Sequence, residues 1–148
     1  MKALTGKKMI EIATKISKEA HAGQTYGDGL DYFEHHVRKV ADRVKDAGYN
    51  ERYETVALLH DVVEDTEVTL QDLTKHFPPD IVMAVGAMTH EKGESYMKYL
   101  MEAGTNKYAR VVKYFDMKEN SSNNPNKALM IKYTMGMDYL LLTYPDII

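Results

Sequence analysis

The chain of 148 residues is long enough for one domain with a hydrophobic core, and 44% of its residues are hydrophobic. A net charge of −3, without a run of lysine or arginine, argues against binding to a nucleic-acid polymer or a membrane surface. Cysteine is absent, so a metal ion would need histidine and carboxylate ligands. No stretch approaches the ~18 consecutive apolar residues of a membrane span, and no signal peptide is visible. We therefore expect a single cytoplasmic domain over residues 1–148.

Helical periodicity dominates the first part of the chain. Residues 7–22 and 35–47 place apolar side chains at intervals of three and four, and each run stops at a glycine. Between them, the glycine-rich stretch GQTYGDGLDYFE (23–34) has no clear period and is predicted to be a loop beside a pocket. Asn50 is placed to cap a third helix, which is predicted to continue through the segment ALLHDVVEDT (57–66).

The second part of the chain predicts further helices, and no convincing strand pattern appears anywhere in the chain. Thr69 followed by Asp72 is typical of a capping box, and the Pro78-Pro79 pair would end that helix and begin the next. The remaining predictions are helices at 94–102 and 106–118, a loop at 120–126 and a closing helix at 128–142. Because the closing helix is apolar on almost all sides, we expect it to be buried. The predicted fold class is all-α, a compact bundle of about six to eight helices.

The segment ALLHDVVEDT concentrates polar side chains on one side of its predicted helix. On an ideal helix, His60, Asp61, Glu64 and Asp65 fall within about 140° of one another, separate from an apolar arc that can anchor the helix. This pattern indicates a functional site. A His-Asp pair alone is weak support, however, because charged groups on one face of a helix are usually only solvated.

Two other segments supply matching groups. His36 lies early in the second predicted helix, and Lys113, Asp116 and Asn120 are spaced three and four residues apart, on one face of a later helix. The candidate metal ligands are then two histidines and two aspartates: His36, His60, Asp61 and Asp116. Two nitrogen and two oxygen donors suit manganese, iron or zinc, and an octahedral ion would keep two positions open.

Six segments between Ala20 and Asn120 together resemble one known family. They are AHAGQ, HVRKVA, ALLHDVVEDT, TLQDLTKHF, MTHEKGESYMKYL and NKYARVVKYFDMKEN. In content and order they are similar to the HD-domain metal-dependent phosphohydrolases of the RelA/SpoT type. The resemblance implies an all-α HD fold and hydrolysis of the 3′-pyrophosphate of guanosine tetraphosphate or pentaphosphate with one Mn²⁺. The length of the chain suits a stand-alone hydrolase without a synthetase half.

The resemblance also implies a role for individual residues. The implied metal ligands are His36, His60, Asp61 and Asp116, the implied water-handling acids are Glu64 and Asp65, and the implied nucleotide contact is Asn120. Either Glu64 or Asp65 could be the base. Matching Val40-Ala41 to the family selects His36 as the first ligand and leaves the neighbouring His35 as the alternative.

One departure from the family affects the expected substrate. Where the family has a pair of basic residues that bind the nucleotide, this chain has Tyr26 and Gly27. Tyr26 could stack on a base or form one hydrogen bond, but it cannot neutralise phosphate. Either Lys113, Lys92 or Arg110 supplies the charge, or the substrate is a different small nucleotide. A non-catalytic nucleotide-sensing domain is a third hypothesis.

Other conspicuous residues receive mainly structural interpretations. We expect His21 to support the site or the fold, His76 and His90 to be surface or capping residues, and Tyr96 to line the pocket. The ten methionines and eleven tyrosines are interpreted mostly as packing residues, and a domain this rich in them could also form a homodimer.

Overall fold

The computed structural model describes residues 4–148, which are mostly helical. In chain order the elements are α1 (Gly6–Ala20), β1 (Thr25–Tyr26), β2 (Leu30–Asp31), a π-helical turn (Phe33–Val37) that runs into α2 (Arg38–Asp46), α3 (Glu51–Leu59), α4 (Val62–Asp65), α5 (Leu70–Thr74), α6 (Pro79–Ala87), α7 (Tyr96–Gly104), α8 (Lys107–Ser121), α9 (Lys127–Thr143) and a 3₁₀ turn (Pro145–Ile147). The predicted all-α class is confirmed. Within residues 4–148, none of the helices has the length and apolar character needed to cross a bilayer.

Side-chain caps fix where several helices begin. The Asn50 side chain accepts a hydrogen bond from the backbone N–H of Arg52, as predicted. Thr69 and Asp72 form a reciprocal capping box at the start of α5, also as predicted. Ser95, Asn106 and Asn126 cap the last three α-helices in the same way. Most helix starts are therefore encoded locally.

Helix α3 is the centre of the core. It packs against α1, α2, α6 and α8, and residues 55–59 are all buried. A helix surrounded in this way holds whatever follows it in a fixed position. The residues that follow it are His60 and Asp61, so the core directly positions the candidate site.

The segment ALLHDVVEDT is not one continuous helix. Helix α3 ends at Leu59, His60 and Asp61 form a turn, and the one-turn α4 begins at Val62. Asp61 leaves ideal helical geometry, with φ −105° and ψ −2°. The prediction of an uninterrupted helix was therefore wrong. The one-turn α4 is thus a separate α-helical segment of four residues.

The predicted loop at 23–34 contains a small antiparallel hairpin. Thr25 pairs with Asp31 and Tyr26 pairs with Leu30. Gly27 and Gly29 have φ values of +63° and +85°, a region that suits glycine and lets the chain reverse tightly. The expectation of no strands was wrong because a two-residue strand is too short to show an alternating pattern.

Helix α9 lies at the edge of the bundle, so the predicted burial of this helix was wrong. Only Gly136 and Leu140 are buried, whereas Ile131, Met135 and Leu142 are 51%, 62% and 85% exposed. The helix packs mainly on α8. Gly136 allows this close approach, because a Cβ atom there would lie 2.5 Å from Met117 Sδ.

Gly136→Ala is expected to destabilise the fold by about 1–2 kcal/mol. The added methyl group would press on Met117 in the closely packed core, and this strain would outweigh the roughly 1 kcal/mol by which alanine favours a helix. Urea denaturation measures the change. Gly86→Ala in α6 is the control, because its Cβ would come no closer than 3.3 Å to the Leu70 side chain. Equal stability of the two variants would contradict this packing.

Candidate metal centre

Three separate parts of the chain bring the four predicted ligands together. His36 comes from the turn before α2, His60 and Asp61 come from the turn after α3, and Asp116 comes from α8. His36 Nε2 lies 3.0 Å from Asp116 Oδ1, and His60 Nε2 lies 3.0 Å from Asp61 Oδ2. His36 Nε2 also lies 3.6 Å from Asp61 Oδ2, and His60 Nε2 lies 3.5 Å from Asp116 Oδ1. His36, His60 and Asp116 each have a donor atom close enough to the others to share one ion, whereas the neighbouring His35 is only partly buried.

The spacing of these donors fits a divalent cation. Adjacent ligands about 2.1 Å from an octahedral ion stand about 3 Å apart, which is close to the observed separations. His60 Nδ1 lies 2.6 Å from the Ala57 carbonyl oxygen, so the geometry assigns the ring proton to Nδ1. His60 Nε2 is then buried without a hydrogen-bond partner of suitable geometry. A nitrogen prepared in this way is suited to bind a metal ion.

Buried charges hold the centre in one ionisation state. Burial would raise the pKa of Asp116, but Lys113 and the two histidines outweigh it and hold that pKa well below its usual range. Burial would lower the pKa of His60, but Asp61 and Asp116 raise it well above its usual value. The negative charge of Asp61 and Asp116 that favours a second ring proton, on Nε2, would equally favour a cation in its place, so metal affinity should rise with pH.

Further side chains hold the two candidate aspartate ligands. The Tyr32 hydroxyl donates a hydrogen bond to Asp61 Oδ2. Lys113 Nζ donates to Asp116 Oδ2 over 2.9 Å, and Asn120 Nδ2 lies 3.4 Å from Asp116 Oδ1. Sequence reasoning missed Tyr32, because nothing in the pattern distinguishes it from the other tyrosines. The predicted Lys113 and Asn120 do lie at the site.

Tyr32→Phe is expected to weaken manganese binding about 10- to 100-fold while leaving the fold intact. The phenylalanine keeps the ring beside His36, at 5.1 Å between centroids, and removes only the hydrogen bond that orients Asp61. Titration calorimetry with metal-stripped protein measures the affinity. Tyr49→Phe is the control, because it loses a hydroxyl bond to the Ile147 carbonyl instead. Equal manganese affinity in both variants would remove Tyr32 from the metal centre.

The predicted acid pair lies on α4, next to the ligand cluster. Glu64 Oε1 accepts a hydrogen bond from the backbone N–H of His90 at 2.6 Å. Asp65 Oδ2 accepts one from Gln24 Nε2 at 3.3 Å. Partial desolvation of these two side chains raises the pKa of both carboxyl groups. His90, predicted to be a surface or capping residue, thus also fixes Glu64, a contact that links positions 26 residues apart and has no local signal.

Two of the predicted substrate contacts, Tyr26 in the hairpin and Asn120 in α8, are hydrogen-bonded to each other. The Tyr26 hydroxyl donates to Asn120 Oδ1 at 2.8 Å, and Asn123 Nδ2 donates to the Tyr26 oxygen at 3.1 Å. Both lie at a cavity of about 330 Å³. Its main lining residues are Tyr26, Leu30, Asn120, Asn123, Leu129 and Tyr133. The last two come from α9, which the sequence had suggested to be core.

The three cations considered as replacements for the missing basic pair lie in different places. Lys113 lies in the candidate metal centre, where it donates a hydrogen bond to Asp116, and its Nζ is 6.0 Å from the centroid of the Tyr96 ring. Arg110 points elsewhere: its Nε donates to the Gly104 carbonyl at 2.8 Å. Lys92 is exposed between α6 and α7. Of the three, Lys113 is the one in contact with a candidate metal ligand.

A sequence model of the HD domain matches residues 13–117, a range that includes all four candidate ligands and the acid pair. The chain belongs to the HD-domain family. This confirms the family suggested by the sequence segments, and the all-α fold agrees with it.

Several curated relatives match parts of this HD-domain chain. The guanosine-3′,5′-bis(diphosphate) 3′-pyrophosphohydrolase of Vibrio cholerae is 35% identical over 74 residues, which cover 50% of this chain and 10% of the relative. The protein of the same name from Aquifex aeolicus is 26% identical over 119 residues, covering 75% and 17%. The bifunctional (p)ppGpp synthase/hydrolase SpoT of Escherichia coli is 38% identical over 80 residues, covering 53% and 11%. The HD-domain chain thus matches only a small part of each relative's length.

One solved structure has the same fold as this chain over most of the length of both proteins. It is that of a metazoan ortholog of SpoT, described as hydrolyzing ppGpp and as having a role in starvation responses. The match has a TM-score of 0.72 at 23% sequence identity and covers 90% of this chain and 83% of that one. The helical arrangement of this HD-domain chain is therefore that of a known structure.

Proposed function

We propose that this HD-domain chain is a manganese-dependent phosphohydrolase that removes the 3′-pyrophosphate of guanosine tetraphosphate and pentaphosphate, leaving GDP or GTP. The observation that carries the proposal is the meeting of His36, His60, Asp61 and Asp116 from three distant segments, with an acid pair beside them. Relatives named for this reaction support the choice of substrate. We further propose that residues 1–148 act as one domain, in the cytoplasm.

The four ligands would hold the ion through two nitrogen and two oxygen donors, a set compatible with manganese. A divalent ion bound there would lower the pKa of a coordinated water and offset negative charge on the phosphorus centre. His60 and Asp116 are buried, so their positions are set by the core before any ligand arrives. Tyr32 and Lys113 would keep the two aspartates oriented toward the ion.

Glu64 and Asp65 would handle the proton of the attacking water. A base of this kind must lie outside the ligand cluster yet within reach of it. Glu64 is held by the His90 N–H through one oxygen, which leaves the other oxygen free to accept a proton. Asp65, held by Gln24, would orient the water or share the role.

The nucleotide would occupy the cavity between the hairpin and α9. Asn120 and Tyr26 offer hydrogen-bonding groups there, and the tyrosine rings offer stacking surfaces. Lys113 would contribute positive charge next to the phosphates. Because Tyr26 stands where the family has a basic residue, hydrolysis of another small nucleotide is the second candidate function.

A product-release screen with manganese tests the proposal. Its substrates are guanosine tetraphosphate, guanosine pentaphosphate, NADPH and nucleoside monophosphates, and its readouts are pyrophosphate and phosphate. We expect pyrophosphate from the two guanosine polyphosphates. Release from another nucleotide alone would favour the second candidate, and binding without any release would contradict an enzymatic role.

A further inference from the structure

One face of α9 points away from the bundle and is rich in apolar groups. Relative to Lys127, the residues of this α9 outer face lie between about −60° and +80° on the helix, whereas the buried Gly136 and Leu140 lie at about 180° and 220°. The α9 outer face as far as Asp138 consists of Lys127, Met130, Ile131, Thr134, Met135 and Asp138. Beyond Asp138 the same arc continues to Leu141 and to Leu142, which is 85% exposed. Met130, Ile131 and Met135 are 38%, 51% and 62% exposed. Exposed apolar side chains grouped in this way usually mark an interaction surface.

The α9 outer face also has a concave part. A depression of about 440 Å³ is lined by Met130, Ile131, Thr134 and Met135, together with Lys127 and Pro125. Unbranched methionine side chains beside such a depression can adapt to fill one on another surface. The face therefore offers both the projecting groups and the hollow that a packed contact needs.

The charges on the α9 outer face are arranged symmetrically. Lys127 stands at one end and Asp138 at the other, and the midpoint between them falls between residues 132 and 133. A second α9 running antiparallel about that midpoint would place each lysine opposite the other copy's aspartate. The same register places Met130 level with Met135 of the other copy, and Ile131 level with Thr134. A two-fold interface requires this kind of self-complementary pattern.

We propose that the α9 outer face binds the same face of a second copy of this chain, with the two helices antiparallel. The contact runs from Lys127 to Asp138, about 16 Å along the helix. A contact over three helical turns is small for a specific interface, so we expect association in the micromolar range. The interface is independent of the proposed function.

The dimer contact adjoins the candidate substrate cavity. Pro125 lines both the depression on the α9 outer face and the cavity that contains Tyr26 and Asn120. It lies in the connection between α8 and α9, which carries Asn123 on the cavity side. Dimerisation would therefore stabilise the connection between α8 and α9, which forms one wall of the candidate substrate cavity.

Sedimentation velocity across about 1–200 μM protein tests the interface. We expect unmodified protein to shift from monomer to dimer and Met135→Glu to stay monomeric. Met83→Glu is the matched control, since Met83 is a 68% exposed methionine on α6 and should dimerise normally. Circular dichroism melts of each variant confirm folding. A monomer at every concentration, or a dimer unaffected by Met135→Glu, overturns the proposal.

Charge reversal tests the register. Lys127→Glu and Asp138→Lys should each weaken the dimer roughly tenfold, because each creates two like-charged pairs. The double variant, and an equimolar mixture of the two single variants, should both recover the dimer, since every pair is then opposite in charge. If neither the double variant nor the mixture associates better than the single variants, the antiparallel register is wrong.

Discussion

His60→Ala is expected to abolish manganese binding and to lower pyrophosphate release by at least about 1000-fold. His60 supplies one of two nitrogen donors, and its Nε2 is buried and free of hydrogen bonds, ready to bind. Its loss leaves Asp61 and Asp116 facing each other with less positive charge between them. Metal content after dialysis and kcat for guanosine tetraphosphate are the measurements.

The matched control for this variant is His76→Ala. His76 is an exposed histidine just beyond α5, so its removal should change neither metal content nor kcat. Because His60 is buried, His60→Gln is tested as well, to separate loss of the donor from loss of packing. A folded His60→Ala protein that keeps its metal and its activity would contradict the ligand assignment.

Glu64→Gln is expected to lower kcat about 100- to 1000-fold without changing the bound manganese. Glutamine keeps the shape of the side chain and can still accept the His90 N–H, but it cannot take a proton from water. Metal content, KM and kcat together distinguish this from a binding defect. Glu67→Gln, an exposed residue in the next loop, is the control.

Asp65→Asn decides which member of the pair is the base. If Asp65→Asn lowers kcat as strongly as predicted for Glu64→Gln, and Glu64→Gln does not, the two roles are exchanged. If both variants remain fully active, neither carboxylate handles the proton.

The pH dependence of kcat is an independent test of the role of Glu64. Partial desolvation raises the pKa of its carboxyl group above the usual glutamate value of about 4.3. A base acts when deprotonated, so activity should fall as the pH drops through that raised pKa. The acid limb of log kcat should be less steep in Glu64→Gln. An unchanged limb would assign it to another group, such as His60 giving up its metal.

Local chemistry made much of the fold predictable. The caps at Asn50 and Thr69 are predictable from the sequence, because a cap needs only a side chain and a backbone N–H a few residues away. The histidines and aspartates of the centre stood out because few buried structural roles require them. In the structure, they meet as the helical pattern and the family resemblance together suggested.

The features that were missed depend on contacts between distant residues. Tyr32 is hydrogen-bonded to Asp61, 29 residues away in the sequence, and His90 to Glu64, 26 residues away. Helical or strand periodicity does not predict contacts at such sequence separations. The turn at His60-Asp61 interrupts a segment whose local propensity favours a continuous helix. For α9, composition suggested burial, but its place at the edge of the bundle left much of that apolar surface exposed.

Reconstitution of metal-stripped protein with manganese is the decisive measurement. Pyrophosphate release from guanosine tetraphosphate should be absent without metal, rise in proportion to added Mn²⁺, and level off at one ion per chain. Full activity in the stripped protein, or no pyrophosphate release at any manganese concentration, would contradict a manganese-dependent 3′-pyrophosphohydrolase built on His36, His60, Asp61 and Asp116.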